Sequence, residues 1–284
     1  MFTEIALIAS KKDLAGLNIR DSFLELSNFA ESGSFDNNPV FEGQIDGNKV
    51  RVYTVNEETV FLNDLDKKID AELFIFMTKH RSTSGIPSLS AHSPGNWATA
   101  ELGGISRKLG LAPACYLKQA LCILEELGKN SGYDIVQECT HHGPFIYKPC
   151  FFIEIGSDED RWKDKKAGKI IAQTLARLLS SEIKQCRAAF GIGGPHTLPN
   201  FKKIILNSDI AIAHVCPKYM LEHLDKELVI QALKQSIPES ELIILDWKGL
   251  AEYKEKVKRI LDEVLKDFEN DFGKKIEIKK TKDF

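Results

Sequence analysis

The chain of 284 residues carries 38 lysines and arginines against 41 aspartates and glutamates, and 43% of it is hydrophobic. That apolar fraction excludes a mainly disordered protein, and a formal net charge of -3 excludes one that coats nucleic acid by bulk charge, leaving room only for a local basic patch. No apolar run approaches the ~20 residues of a membrane span, and the opening Met1-Phe2-Thr3-Glu4-Ile5-Ala6-Leu7 reads as a buried strand rather than a signal peptide. The six cysteines include no C-x-x-C pair, which removes a zinc ribbon and a thioredoxin-type motif. A reduced, soluble, cytoplasmic protein without a disulfide framework is expected.

Short apolar runs that fit buried strands alternate with longer helical patterns, the signature of a layered α/β fold. In chain order the pattern predicts a strand over 4–10, a helix over 14–30, strands over 49–55 and 73–78, and a helix over 114–129. Strands over 134–139 and 150–155 follow, then a helix over 165–184, strands over 188–192 and 210–214, a helix over 217–235, a strand over 242–245 and a helix over 250–271. Residues 274–280 alternate as an edge strand would, with lysines that discourage further pairing; the competing reading is an RNA-facing basic tail. No linker or internal repeat divides the chain, so a single α/β domain over 1–284, with a basic C-terminal edge segment at 274–284, is expected.

Every histidine except His223 falls at a predicted strand end or in the loop just after one. Carboxyl ends of strands deliver several loops to one crevice, so these imidazoles are expected to converge. The segment from His80 to Trp97 is too long and polar for a plain connector. In it, Ser82-Thr83-Ser84-Gly85 offers hydroxyls and N–H groups to an anion or merely satisfies a turn, and His92 precedes the turn Pro94-Gly95-Asn96. In Glu138-Cys139-Thr140-His141-His142-Gly143-Pro144 the adjacent histidines point to opposite sides, so one of them reaches any given metal and its neighbour serves a second ion or the substrate. Glu154 interrupts the buried run Phe151-Phe152-Ile153-Glu154-Ile155, where a carboxylate must be a metal ligand, a general base or an ion-pair partner. Gly191-Ile192-Gly193-Gly194-Pro195-His196 lets backbone approach a ligand closely, but it is neither a Rossmann fingerprint nor a P-loop. His214 closes the strand over 210–214.

No serine sits in G-x-S-x-G and no cysteine has a nucleophile context, so imidazole and carboxylate chemistry remains. Histidine with Asp or Glu and no thiolate is the donor set of catalytic zinc sites, which suit ester or amide hydrolysis.

Taken together, the loop from His80 to Trp97, the segment from Glu138 to Pro144, Phe152-Ile153-Glu154-Ile155-Gly156-Ser157 and the run from Gly191 to His196 resemble the archaeal and plant-type D-aminoacyl-tRNA deacylase family. That family is similar in fold to the phosphorylase/hydrolase-like proteins, so the resemblance implies a three-layer α/β/α architecture with a central mixed sheet. It implies further a monomeric cytoplasmic zinc enzyme, without an obligate protein partner, that hydrolyses the ester between a D-amino acid and tRNA. Ala213-His214 departs from the Gly-His expected of the family. On the combined reading His92, His141, Glu154 and His196 supply the zinc shell. His142 or His214 acts as acid/base beside Glu154, and Arg81, Ser82, Ser84, Asn96, Gly193 and Gly194 contact the substrate or the acceptor end of aminoacyl-tRNA. Arg107, Lys108, Lys148, Lys202 and Lys203 are further candidates for a basic groove. Two other classes use the same features: a zinc metallopeptidase or amidohydrolase acting on a small substrate, and a non-catalytic tRNA- or nucleotide-binding module with no metal.

Overall fold

The computed structural model describes residues 2–26, 28–272 and 275–284. The chain enters through β1 (Glu4–Ser10) and α1 (Leu14–Leu26), turns through β2 (Ala30–Phe35), β3 (Asn38–Ile45) and β4 (Asn48–Val55), and returns to the interior at β5 (Leu73–Arg81). β6 (Ser88–His92), β7 (Ala112–Pro113), α2 (Ala114–Gly128), β8 (Asp134–Gln137) and β9 (Cys150–Ser157) follow, then α3 (Glu159–Trp162) and α4 (Lys165–Leu179). The remainder holds β10 (Arg187–Ile192), α5 (Pro199–Asn207), β11 (Ile210–Cys216), α6 (Lys226–Lys234), β12 (Ser236–Ile237), β13 (Leu242–Leu245), α7 (Lys254–Phe272) and β14 (Glu277–Lys280).

Eight strands form a mixed sheet in the order β2-β3-β4-β1-β5-β9-β6-β8, and four more form a parallel sheet, β11-β10-β13-β14. Interior strands bury both faces, as the period of two demands: Ile5, Leu7 and Ala9 of β1 enter one apolar cluster while Ala6 and Ile8 enter another. The first cluster spans both sheets, joining Leu7, Ile75 and Ile153 to Ala189, Ile212 and Ile244 beneath α1, α2, α4 and α5. On the other face of the parallel sheet, α6 and α7 cover Phe190, Ile243 and Leu245. The architecture is three-layer α/β/α, with the strands divided among these two sheets and a short parallel pair, β7 with β12, rather than held in one.

Several boundaries differ from the sequence pattern for identifiable reasons. Helix α1 ends at Leu26, and the residues from Ala30 onward form a hairpin edge. Asp36-Asn37 and Asp46-Gly47 take positive φ at both positions (52° and 60°, 49° and 80°), the primed-turn geometry that matches strand twist. The long loop expected after β5 contains strand β6, whose Leu89 and Ala91 face the core while it runs antiparallel to β9. The helix expected over 217–235 begins instead at Lys226, where the Asp225 carboxylate accepts the Leu228 N–H as an N-cap. Helix α5, which no prediction anticipated, starts with Pro199 in its first turn. β14 is the edge strand of the parallel sheet, while Lys274, the first residue of the expected edge segment, lies outside the described residues.

The expectation of free thiols throughout is corrected by a disulfide between Cys115, at the start of α2, and Cys186, just before β10. The sequence separation of 71 hides a spatial neighbour. Closing a loop of that size restrains the unfolded chain, so reduction is expected to lower unfolding free energy by about 4 kcal/mol. Denaturant titration with and without reductant checks this, and superimposable curves would contradict it.

Candidate active site

Segments of β5, β6, β8 and β9 and the loop after β10 meet around a cavity of about 840 Å³; because β6 and β8 run antiparallel to β5 and β9, the C-terminal ends of the first pair face residues inside the second. Register does much of the placing. β5 and β9 pair Thr78 with Glu154, and β6 sets Ser90 opposite the same glutamate. Thr78 Oγ1 then donates to Glu154 Oε1 at 2.7 Å, which fixes that carboxylate and leaves Oε2 toward the cluster, 3.7 Å from His92 Nε2 and 3.8 Å from His80 Nδ1.

Glu138, one residue beyond β8, is the hub. Its Oε2 lies 2.9 Å from His196 Nε2, 3.0 Å from His80 Nδ1 and 3.6 Å from His141 Nε2. Three rings are held alike: Nδ1 of His92, His141 and His142 donates to the carbonyls of Ser93, Cys139 and Gly143 at 3.2, 2.8 and 2.6 Å. Nε2 of each is thereby the acceptor. That tautomer, fixed by a backbone carbonyl, is the one that metal-binding histidines adopt. The His92 ring also stacks on Phe152, with centroids 5.2 Å apart.

Electrostatics divide the cluster. Burial favours the neutral acid at Glu138, but bonds from His196 and His80 overcome it and hold the carboxyl well below the usual range. Burial likewise opposes charge on His196, yet hydrogen bonds to Cys139 and Glu138 raise it to about 10, and His80 is raised against burial by Glu138. His141 and His142 have no carboxylate at hydrogen-bond distance: burial, then the neighbouring rings, push His141 well down and His142 to about 4.

The donors suit a cation. Nε2 of His92 and Oε1 of Glu138 are buried without a hydrogen-bond partner, a state that costs about 1–3 kcal/mol per group unless something else engages them. Donor atoms of His92, Glu138 and Glu154 lie within 4.8 Å of one another, as do those of His92, His141 and His142, those of His80, Glu138 and His196, and those of Cys139, His141 and His196. Ligands of a tetrahedral ion at ~2.1 Å stand about 3.4 Å apart, and the separations of 2.9, 3.0, 3.6 and 3.7 Å fall around that value.

Of the residues singled out from sequence, His92, His141, His142, Glu154 and His196 come together here. Arg81, Ser82 and Ser84 line the mouth, where the two serine hydroxyls lie 2.9 Å apart. His214 does not join them. Its Nε2 reaches the Gly110 and Gln235 carbonyls at 3.0 and 2.8 Å and its Nδ1 meets Thr140 Oγ1 at 3.1 Å, so the ring ties β11 to its neighbours. Asn96 is also turned away, donating to the Gly103 carbonyl at 2.9 Å. Gly194 borders a second cavity, while the Gly193 N–H is taken by the Cys216 carbonyl at 2.8 Å. Among the other basic candidates, Arg107 pairs with Asp225 and Lys202 with Glu125. Glu138 and His80 carry no role in the sequence reading. A carboxylate directly before Cys139-Thr140-His141 at a strand end was the available signal for the first, and a histidine at the end of β5 for the second.

The fold and this cluster define a three-layer α/β protein that gathers histidine and carboxylate donors at its strand ends. Residues 67–268 match the family model described as D-aminoacyl-tRNA deacylase, and the chain belongs to that family. It is 38% identical to the D-aminoacyl-tRNA deacylase of Pyrococcus furiosus, over 86% of this chain and 90% of the relative. To that of Thermococcus kodakarensis it is 36% identical, with the same coverage. A crystal structure of a conserved protein of unknown function superposes with a TM-score of 0.86 at 30% identity, covering 99% of this chain and 96% of the other. Among the described residues no helix is long and apolar enough to cross a membrane.

Proposed function

We propose that this chain hydrolyses the ester joining a D-amino acid to the terminal ribose of tRNA, as a zinc-dependent cytoplasmic monomer that returns mischarged tRNA to use. The observation that carries the reading is the donor cluster around Glu138, of which His80, His141, His142, Glu154 and His196 line the 840 Å³ cavity, in a chain whose family is named for this reaction.

His92, His141, Glu154 and His196, with Glu138 added, would hold the ion. Zinc bound among such donors supplies Lewis acidity toward a carbonyl oxygen and lowers the pKa of water to about 7. The chain's own groups do the rest. Thr78 keeps Glu154 in one rotamer, and the carbonyls of Ser93 and Cys139 keep His92 and His141 facing inward. His142, lowered to about 4 by burial and the neighbouring His92 ring, is neutral at pH 7, and its Nε2 would accept a proton from the attacking water and return it to the departing ribose oxygen. Arg81 at the mouth offers a guanidinium to the phosphates of the acceptor end. An aminoacyl ester is labile, so orientation and charge stabilisation suffice.

The test is hydrolysis of D-tyrosyl-tRNA and L-tyrosyl-tRNA, each with and without chelator. Turnover of the D ester alone, abolished by the chelator and restored by zinc, is the expected result. Equal rates on both esters would remove the chiral assignment, insensitivity to chelation would remove zinc, and cleavage of small amides without tRNA would transfer the site to a metallopeptidase or amidohydrolase.

A further inference from the structure

A second cavity of about 550 Å³ lies on the other side of Pro195, which lines both spaces. Its size falls within the range of small-ligand sites. Two loops build its floor. Gly194, at φ 86°, meets Gly249 so closely that a Cβ on Gly249 would stand 2.5 Å from the Gly194 nitrogen. Backbone packed on backbone leaves a smooth surface rather than side-chain relief. Tyr219 and Tyr253 supply aromatic walls; Tyr219 is 49% exposed, and Tyr253 rests against the core beneath α7. Tyr219 also connects this cavity to the cluster, since its hydroxyl lies 3.0 Å from His196 Nδ1.

The charges say what kind of occupant fits. Asp246 and Glu252 line the cavity against one cation, Lys218, so it disfavours phosphate; Glu252 stands 4.0 Å from Lys218 and Asp246 accepts from Asn200 Nδ2 and the Gly249 N–H, yet each carboxylate keeps further lone pairs for an uncharged group with N–H donors. A flat aromatic ring bearing an amine satisfies both the walls and the carboxylates. An aminoacyl-tRNA presents such a ring beside the ester, because the terminal adenosine carries the acylated ribose. Its acyl group and its base diverge from the scissile bond, as the two cavities diverge from Pro195.

We propose that the cavity formed by Gly194, Gly249, Tyr219 and Tyr253 is the binding site for the terminal adenosine of tRNA, with its base stacked on the tyrosines. The assignment rests on the deacylase reading. It gives the glycine run of the sequence a task that the donor cluster does not.

The test measures equilibrium binding of uncharged tRNA and of the same tRNA lacking its last adenosine. The proteins compared are the wild type, Tyr253→Leu, which keeps apolar packing and loses the ring, and Tyr253→Phe. Stacking is worth about 1–3 kcal/mol per base, so removing the adenosine is expected to weaken wild-type binding roughly tenfold or more. The same trimming should matter little to Tyr253→Leu and fully to Tyr253→Phe. Equal wild-type affinity for the intact and trimmed tRNA overturns the proposal without need of any variant, and so does a Tyr253→Leu protein that loses as much on trimming as the wild type. Turnover of D-tyrosyl-tRNA, followed separately, reports on the deacylase reading: an inert wild type defeats that reading, whereas an active one with an indifferent Tyr253 defeats only the adenosine site.

Discussion

Glu138→Gln is expected to lower turnover of D-tyrosyl-tRNA by about 10²–10³-fold while leaving the circular dichroism spectrum unchanged. The substitution preserves volume, removes the charge and turns one acceptor oxygen into an N–H donor. That charge is what three imidazoles share: His196, His80 and His141 all approach the same oxygen. Without it His80 loses the carboxylate that raises it and His196 loses one of its two raising partners, Cys139 being the other, while the site loses an anionic oxygen free to meet a cation. Zinc content should fall with activity. A variant that keeps wild-type turnover would show that Glu138 is a buried ion-pair partner and no more.

Zinc affinity is expected to rise steeply with pH. In the metal-free protein at pH 7, His196, with its pKa near 10, carries a proton, and His80 is shifted the same way by the same carboxylate. An imidazole binds metal only when neutral, so each ion that enters must expel a proton. The sign follows directly: a proton released on binding strengthens binding as pH rises, by about tenfold per pH unit for each proton displaced. Between pH 6 and pH 8 the association constant should grow about a hundredfold if His196 alone is deprotonated. Calorimetry in buffers of different ionisation enthalpy counts the protons, and His196→Ala should flatten the slope. Affinity that does not change over this range would mean that the raised histidines are not ligands.

Much of this arrangement is legible in the chain because its causes are local. Parallel strands enclosed on both faces need uninterrupted apolar runs, so β1, β5, β9 and β11 announce themselves. A histidine at such a strand end is delivered to a crevice, and for His92, His141, His142 and His196 the crevice is the same one. What escapes depends on partners distant in sequence. His214 has the same local setting, but carbonyls of Gly110 and Gln235 reach it from other elements and turn it into a tie. Glu138 looks like a strand residue until His80 and His196 arrive from 58 residues on either side. The β2–β3 hairpin is missed because Ala30-Glu31-Ser32-Gly33-Ser34 is solvent-facing and so carries no apolar alternation. The Cys115–Cys186 bond is missed because no spacing rule links cysteines brought together by α2 and β10.

The convergence of donors from separate strand ends on one cation is tested most directly by X-ray absorption at the zinc edge of protein loaded with the ion. Nitrogen and oxygen neighbours at about 2.0–2.2 Å, with the outer-shell scattering of imidazole rings and no sulfur at about 2.3 Å, are the predicted result. Failure to bind zinc stoichiometrically, or a shell dominated by sulfur, would contradict the account.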